Sequence, residues 1–100
     1  MSQRVGGFSE KKDATPDIQE YCEKVKPELE NKMGTNFGTF KAESYISQVV
    51  AGLNCIVKVN IGGGSCVHIK IFVPLPHTNE GPQLNGYQPS KTLTDPIKDF

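Results

Sequence analysis

The chain has 100 residues, of which 36% are hydrophobic and 22% are charged, a composition that excludes an intrinsically disordered protein. Eleven basic residues balance eleven acidic ones, so no excess of positive charge predicts nucleic acid or an anionic membrane as a partner. No apolar run approaches the roughly 18 residues of a transmembrane helix, and residues 1–8 lack the apolar stretch of a signal peptide. We therefore expect a single cytoplasmic domain over residues 1–100.

The first part of the chain predicts a flexible arm followed by one helix. Residues 1–13 are polar, contain glycine and show no hydrophobic period, which is typical of a flexible N-terminal trunk. Thr15 can cap a helix whose first position is Pro16, and Pro27 should kink it. Apolar residues recur four, three and four positions apart and form one helical stripe: Ile18, Cys22, Val25 and Leu29.

The rest of the chain predicts four strands joined by short turns. The extended segments are 40–50, 54–61, 66–73 and a weaker one at 83–92. Gly62 to Ser65 is typical of a hairpin turn, and Pro74 ends the third segment because proline cannot donate to a ladder. In the first segment, alternation predicts one shared face for Phe40, Ala42, Ser44 and Ile46. One helix followed by consecutive strands indicates the α+β class with an antiparallel sheet.

The sequence offers few groups for catalysis or metal binding. The three cysteines, Cys22, Cys55 and Cys66, form no Cys-x-x-Cys pair, so we expect ordinary small apolar side chains. The alternative is a redox switch or an intermolecular disulfide. Cys66 and His68 alternate on one strand face, but zinc needs two more ligands. His77 could act as a general base, yet no carboxylate or nucleophile stands at a telling spacing from it. We therefore predict no enzymatic activity, no metal and no cofactor.

Two turns between the predicted strands are more apolar than turns usually are. In the segment from Gln48 to Leu53, apolar residues stand where Asn, Asp or Ser would be expected. One interpretation is that Val49 and Val50 only finish a strand; the other is that they contact a partner. The run Leu75–His77 is similarly apolar. In an antiparallel meander both turns fall at the same end of the sheet, so they predict a binding surface there.

Several segments of the chain resemble one known family. The run from Gln48 to Gly52 matches the Gln-Val-Val-Ala-Gly signature of the cystatins, which are reversible inhibitors of papain-like cysteine proteases. The resemblance is closest to the stefins, the type 1 cystatins, which lack signal peptides and disulfides. Further stefin-like segments are 6–10, 14–20, 24–27, 75–77 and 86–88.

This resemblance implies both a fold and a function. The implied fold is cystatin-like, with an antiparallel sheet of four to five strands wrapped around one long helix. The implied function is competitive, tight-binding inhibition of cathepsin-type proteases by a monomer, with a domain-swapped dimer as an alternative state. A non-inhibitory interaction module on the same scaffold is the alternative function. The resemblance assigns protease contact to the following residues: Arg4, Val5, Gly6, Gly7, Gln48, Val49, Val50, Ala51, Gly52, Leu75, Pro76 and His77.

Overall fold

A computed structural model describes residues 7–100, in which a helix packs against a five-stranded antiparallel sheet. The elements in chain order are β1 (Lys12–Asp13), α1 (Pro16–Met33), β2 (Lys41–Val50), β3 (Gly52–Gly62), β4 (Ser65–Val73), a 3₁₀ turn (Pro76–Thr78) and β5 (Gln83–Thr92). The strands lie in the sheet in the same order as in the chain. The predicted α+β class is therefore confirmed. Among the described residues, no helix combines the length and the apolar character needed to cross a membrane.

Helix α1 begins and ends where its local sequence predicts. The Thr15 hydroxyl oxygen accepts a hydrogen bond from the Ile18 backbone N–H at 3.2 Å, which satisfies one of the free donors of the first turn. Gly34 ends the helix in the left-handed conformation, and its N–H donates to the Glu30 carbonyl at 2.8 Å. The helix runs through Pro27 without ending there. All members of the predicted stripe are buried: Ile18, Cys22, Val25 and Leu29.

The inner face of the sheet covers this stripe and forms the core. Its side chains come from alternating positions of β3 and β4, the two central strands, and are fully buried: Cys55, Val57, Val59, Val67, Ile69 and Ile71. Burying an aliphatic side chain of this size contributes about 1.5–3 kcal/mol. The core therefore holds the helix against the centre of the sheet.

Strand β2 departs from the predicted alternation. Ala42 pairs with Val59 and faces the helix, but Ser44 pairs with Lys58, so the register shifts by one residue between them. Such a bulge moves every later side chain to the opposite face. The prediction that Phe40, Ala42, Ser44 and Ile46 share one face is therefore wrong, because Ser44 and Ile46 lie on the outer face with Lys58.

A helix side chain bonds the backbone of β2 beside this bulge. The Gln19 amide nitrogen donates to the Phe40 carbonyl at 2.9 Å, and its amide oxygen accepts from the Ala42 N–H at 2.7 Å. Gln19 thus replaces a strand partner for the backbone where β2 begins.

The segment before the helix follows the free edge of β2. The Ser9 N–H donates to the Ser47 carbonyl at 2.7 Å, and the Ser9 hydroxyl accepts from the Ser47 N–H at 3.1 Å. Further along, Lys12 pairs with Tyr45. Between Ser9 and Asp13 the chain is thus paired with an edge strand, and this pairing leaves no hydrophobic period in the sequence because it is made by the backbone.

The C-terminal segment, residues 93–100, crosses the outer face of the sheet. The Lys58 ammonium donates to the carbonyls of Leu93 and Asp95 at 2.6 and 2.5 Å. The Lys70 ammonium donates to the Asp99 carboxylate at 3.0 Å and to an oxygen of Phe100. Two lysines of neighbouring strands thus hold the two ends of this segment.

Candidate functional site

The strand register brings three segments of the chain to one edge of the sheet. Val50 pairs with Gly52, so β2 and β3 meet in a tight hairpin, here called the first loop (residues 49–52). Leu53 pairs with Val73, so β4 ends beside that hairpin and leads into the second loop (residues 74–82). The hydrogen bonds of Ser9 to β2 bring the N-terminal arm from residue 7 onward to the same edge. The prediction that both apolar turns share one end of the sheet is confirmed, and we call this end the loop edge.

The first loop exposes apolar side chains on a constrained backbone. The Val49 side chain is 78% exposed and that of Val50 is 41% exposed, although both belong to β2. Both residues therefore finish a strand, which was the first interpretation of this segment. They also expose apolar surface, which contact with a partner, the second interpretation, requires. The Gln48 side-chain oxygen accepts a hydrogen bond from the Asn54 amide at 2.8 Å across the base of the loop.

Gly52 is required by both conformation and space. Its φ of 131° lies in a region that residues with a Cβ rarely adopt. A Cβ at this position would lie 2.6 Å from the Val73 carbonyl oxygen and 2.8 Å from Cζ of Phe72. The first loop is therefore seated directly on the last two residues of β4.

The second loop is held by its own short-range hydrogen bonds. The Thr78 N–H and hydroxyl both donate to the Leu75 carbonyl, at 3.1 and 2.8 Å, and close the 3₁₀ turn. Leu75 is 39% exposed, and Pro76 and His77 are also exposed. An apolar, proline-containing turn thus stands next to the first loop.

The two loops carry little charge. Residues 44–57 and 71–79 contain no Asp, Glu, Lys or Arg, and His77 is the one ionisable group of the second loop before Glu80. In the N-terminal arm, Gly7 is exposed and Phe8 is half-buried. Arg4, Val5 and Gly6 lie outside the described residues. The loop edge is therefore suited to burying apolar area against a partner rather than to pairing charges.

The thiols are unsuited to nucleophilic chemistry. Burial raises the pKa of the Cys22 thiol to about 12 and that of the Cys55 thiol to about 11, so both stay protonated at neutral pH. Both side chains lie in the core between helix and sheet, away from solvent. Within residues 7–100, no three side chains of His, Cys, Asp or Glu are grouped so that they could hold a metal ion.

Comparison with known proteins identifies the family. A family model described as a cystatin domain matches residues 6–94. The chain belongs to the cystatin family. Among similar proteins, Leukocyte cysteine proteinase inhibitor 1 of Sus scrofa is 47% identical over 96 residues, covering 96% of this chain and 93% of the relative. Cystatin-A of Homo sapiens is 46% identical over 95 residues, covering 95% of this chain and 97% of the relative. Stefin-C of Bos taurus is 43% identical over 96 residues, covering 96% and 95%.

These relatives confirm the resemblance to the stefins within the cystatins. They also confirm that the chain is not an enzyme, because the family consists of protease inhibitors. In this cystatin the loop edge brings together most of the residues that the resemblance selected: Gly7, Gln48, Val49, Val50, Ala51, Gly52, Leu75, Pro76 and His77.

The same edge contains residues that the sequence interpretation of this cystatin missed. Asn54 braces the first loop through Gln48, and Phe72 and Val73 lie against Gly52. A signal for Asn54 was present, because residues opposite each other near a hairpin share a face. The contact of Phe72 with Gly52 left no such signal, since it joins positions that are far apart in the chain.

Proposed function

We propose that this protein is a reversible, competitive and tight-binding inhibitor of papain-like cysteine proteases of the cathepsin type. It acts in the cytoplasm and blocks the active-site cleft with the loop edge. The observation that carries the proposal is the convergence of two apolar, nearly uncharged loops and the N-terminal arm at one edge of the sheet. The name of the porcine relative, a cysteine proteinase inhibitor, supports the same activity.

The first loop enters the cleft without becoming a substrate. A protease cleaves a peptide that lies extended along its cleft, but Ala51 sits in a tight bend between the paired residues Val50 and Gly52. Val49 and Val50 then cover apolar walls near the catalytic cysteine, and Gln48 stays fixed by Asn54. The backbone thus fills the site without offering a scissile bond in the geometry of attack.

The other two segments enlarge the contact on both sides of the first loop. Leu75, Pro76 and His77 cover the primed side of the cleft, and Arg4 and Val5 approach the non-primed subsites. Gly6 and Gly7 let the arm lie close to the enzyme surface. The two loops are held by hydrogen bonds and packing in the free protein, so their binding loses little conformational entropy.

The monomer is the inhibitory form in this proposal. A domain swap that opened the first hairpin would extend residues 49–52 and remove the loop from the edge. Inhibition should therefore belong to the monomeric fraction and be absent from a swapped dimer.

A charge placed in the first loop tests the proposal. Val49→Asp adds a carboxylate to a side chain that is 78% exposed, so folding should be unaffected. Desolvating that charge in the cleft should weaken inhibition of papain by about 100-fold or more. The matched control is Leu93→Asp, since Leu93 is 49% exposed and follows Thr92, which pairs with Ser65 at the opposite end of the sheet.

The control should inhibit papain like the unchanged protein. Equal inhibition constants for the two variants would mean that the first loop does not enter the cleft. Folded protein with intact loops that inhibits no papain-like enzyme would favour the non-inhibitory interaction module instead.

A further inference from the structure

Phe72 is the residue of β4 whose side chain contacts the first loop. It is the penultimate residue of β4, directly before the strand leads into the second loop, and its side chain is half-buried. A Cβ on Gly52 would lie 2.8 Å from Cζ and 2.9 Å from Cε1 of the Phe72 ring. The edge of the ring therefore lies against the backbone of the first loop.

The ring belongs to a row of side chains just behind the loop edge. The strand register pairs Gln48 with Asn54, Asn54 with Phe72, and Phe72 with Gln83. Gln48 and Asn54 are hydrogen-bonded to each other, and Phe72 is the largest member of the row. The row thus runs across four strands, from the base of the first loop to the strand that follows the second.

Backbone pairing brings the two loops side by side, and the contact of Phe72 with Gly52 adds a side-chain link between β4 and the first loop. The first loop connects β2 with β3, and the second connects β4 with β5. They are linked by the pairing of β3 with β4, which ends at Leu53 and Val73. Beyond this pair the loops have no β3–β4 pairing, so side-chain packing contributes to their relative position.

We propose that Phe72 is a positioning residue that sets the distance between the first and second loops and thereby the affinity for the protease. This inference rests on the proposed inhibitory function, because it assigns to Phe72 an effect on binding. Phe72 itself need not contact the enzyme. Its ring packs on Gly52. Because a protease cleft must accept both loops together, any change in the distance between them reduces the contact with the enzyme.

The proposal also assigns a partner to the glycine of the first loop. Gly52 has room for the ring only because it lacks a Cβ, so the two residues form a complementary pair. Changing either residue alone should disturb the packing of the first loop against β4. Changing both should cost less than the product of the two effects, although the Val73 carbonyl still opposes a Cβ at 2.6 Å.

The primary test compares Phe72→Ala with a matched control, Phe37→Ala. Phe37 is also half-buried, but it stacks on Phe40 before β2, where Lys41 pairs with Asn60 at the far end of the sheet. Phe72→Ala should raise both the dissociation rate from papain and the inhibition constant by about tenfold, with little change in the association rate. Phe37→Ala should leave both constants unchanged, even if it lowers the melting temperature as much as Phe72→Ala does.

A conservative variant and a double variant separate positioning from general stability. Phe72→Met keeps a long apolar chain that can still reach Gly52, so it should restore part of the affinity, and it replaces Phe72→Ala if that variant does not fold. Gly52→Ala should weaken inhibition less in the Phe72→Ala background than in the unchanged protein. In the free protein, backbone amide resonances of both loops should shift in Phe72→Ala and not in Phe37→Ala.

The possible outcomes distinguish this inference from the proposed function. If the unchanged protein inhibits papain and Phe72→Ala does so equally well, the positioning role is overturned and the inhibitory function stands. Independent effects of Gly52→Ala and Phe72→Ala would also overturn it. If the unchanged, folded protein does not inhibit papain, the proposed function fails, and the assignment of Phe72 fails with it.

Discussion

We predict that this protein loses stability in acid and that removing the imidazole of His68 abolishes much of that loss. His68 is fully buried on the outer face of the sheet, and neither ring nitrogen has a hydrogen-bond partner among the described residues. Burial, and secondarily the charges of Lys58 and Lys91, lowers the pKa of His68 from 6.5 to about 4, against a smaller opposing effect of Asp95. The ring therefore stays neutral in the folded protein at pH values where the unfolded chain is already protonated.

The sign and size of the effect follow from this difference. Below pH 6.5, His68 binds a proton in the unfolded state but not in the folded state, so the free energy of unfolding falls as the pH falls towards 4. Above pH 6.5 His68 is neutral in both states, so it does not lower the free energy of unfolding there. A pKa lowered from 6.5 to about 4 corresponds to a loss of about 3 kcal/mol between pH 7 and pH 4. That is a large share of the roughly 5–15 kcal/mol that stabilises a typical domain.

The assay is urea unfolding at several pH values between 7 and 4, with His68→Leu as the test variant. Its apolar side chain has no proton to bind, so its stability should fall by about 3 kcal/mol less than that of the unchanged protein over this range. The control for the loss of one imidazole is His77→Leu, because His77 is exposed in the second loop. Identical pH dependence in the unchanged protein and His68→Leu would mean that His68 does not make the folded state less stable in acid.

Two further predictions concern the loop edge and the core. Gly52→Ala should weaken papain inhibition and lower the free energy of unfolding by about 1–3 kcal/mol, because a Cβ meets the Val73 carbonyl and the backbone has a positive φ. Inhibition assays and urea titrations measure the two effects. Unchanged values in both would contradict the packing of the first loop on β4. Cys22 and Cys55 should react with Ellman's reagent at pH 8 only after denaturation, because burial raises their pKa. Rapid reaction of either thiol in the folded protein would contradict its place in the core.

The helix and its core stripe could be predicted because their signals are local. Thr15, Pro16 and Gly34 define the ends of α1 through bonds within one turn, and the apolar spacing defines the buried face. The edge that carries both loops could also be predicted, since an antiparallel meander places alternate turns at the same end. These inferences need only the sequence of one segment or the order of the strands.

The faces of β2 could not be predicted, because a bulge shifts the register between Ala42 and Ser44. Beside the bulge, Gln19 of the helix bonds the backbone at Phe40 and Ala42. No feature of the strand's own sequence shows that contact. The alternation rule was therefore correct up to Ala42 and wrong beyond it.

The burial of His68 has a similar origin. Alternation correctly places it on the face opposite the core, where a solvent-exposed imidazole would be expected. Two lysines instead hold the C-terminal segment across that face, with Lys58 paired directly with His68 in the sheet. Because this segment has no regular structure of its own, its position could not be read from periodicity.

Protease inhibition by this protein is tested most directly with active-site-titrated papain and the monomeric fraction, in the presence of a reductant. We predict reversible inhibition with one inhibitor molecule bound per active enzyme molecule and competition with substrate. Absence of inhibition by a monomer that is demonstrably folded would contradict it.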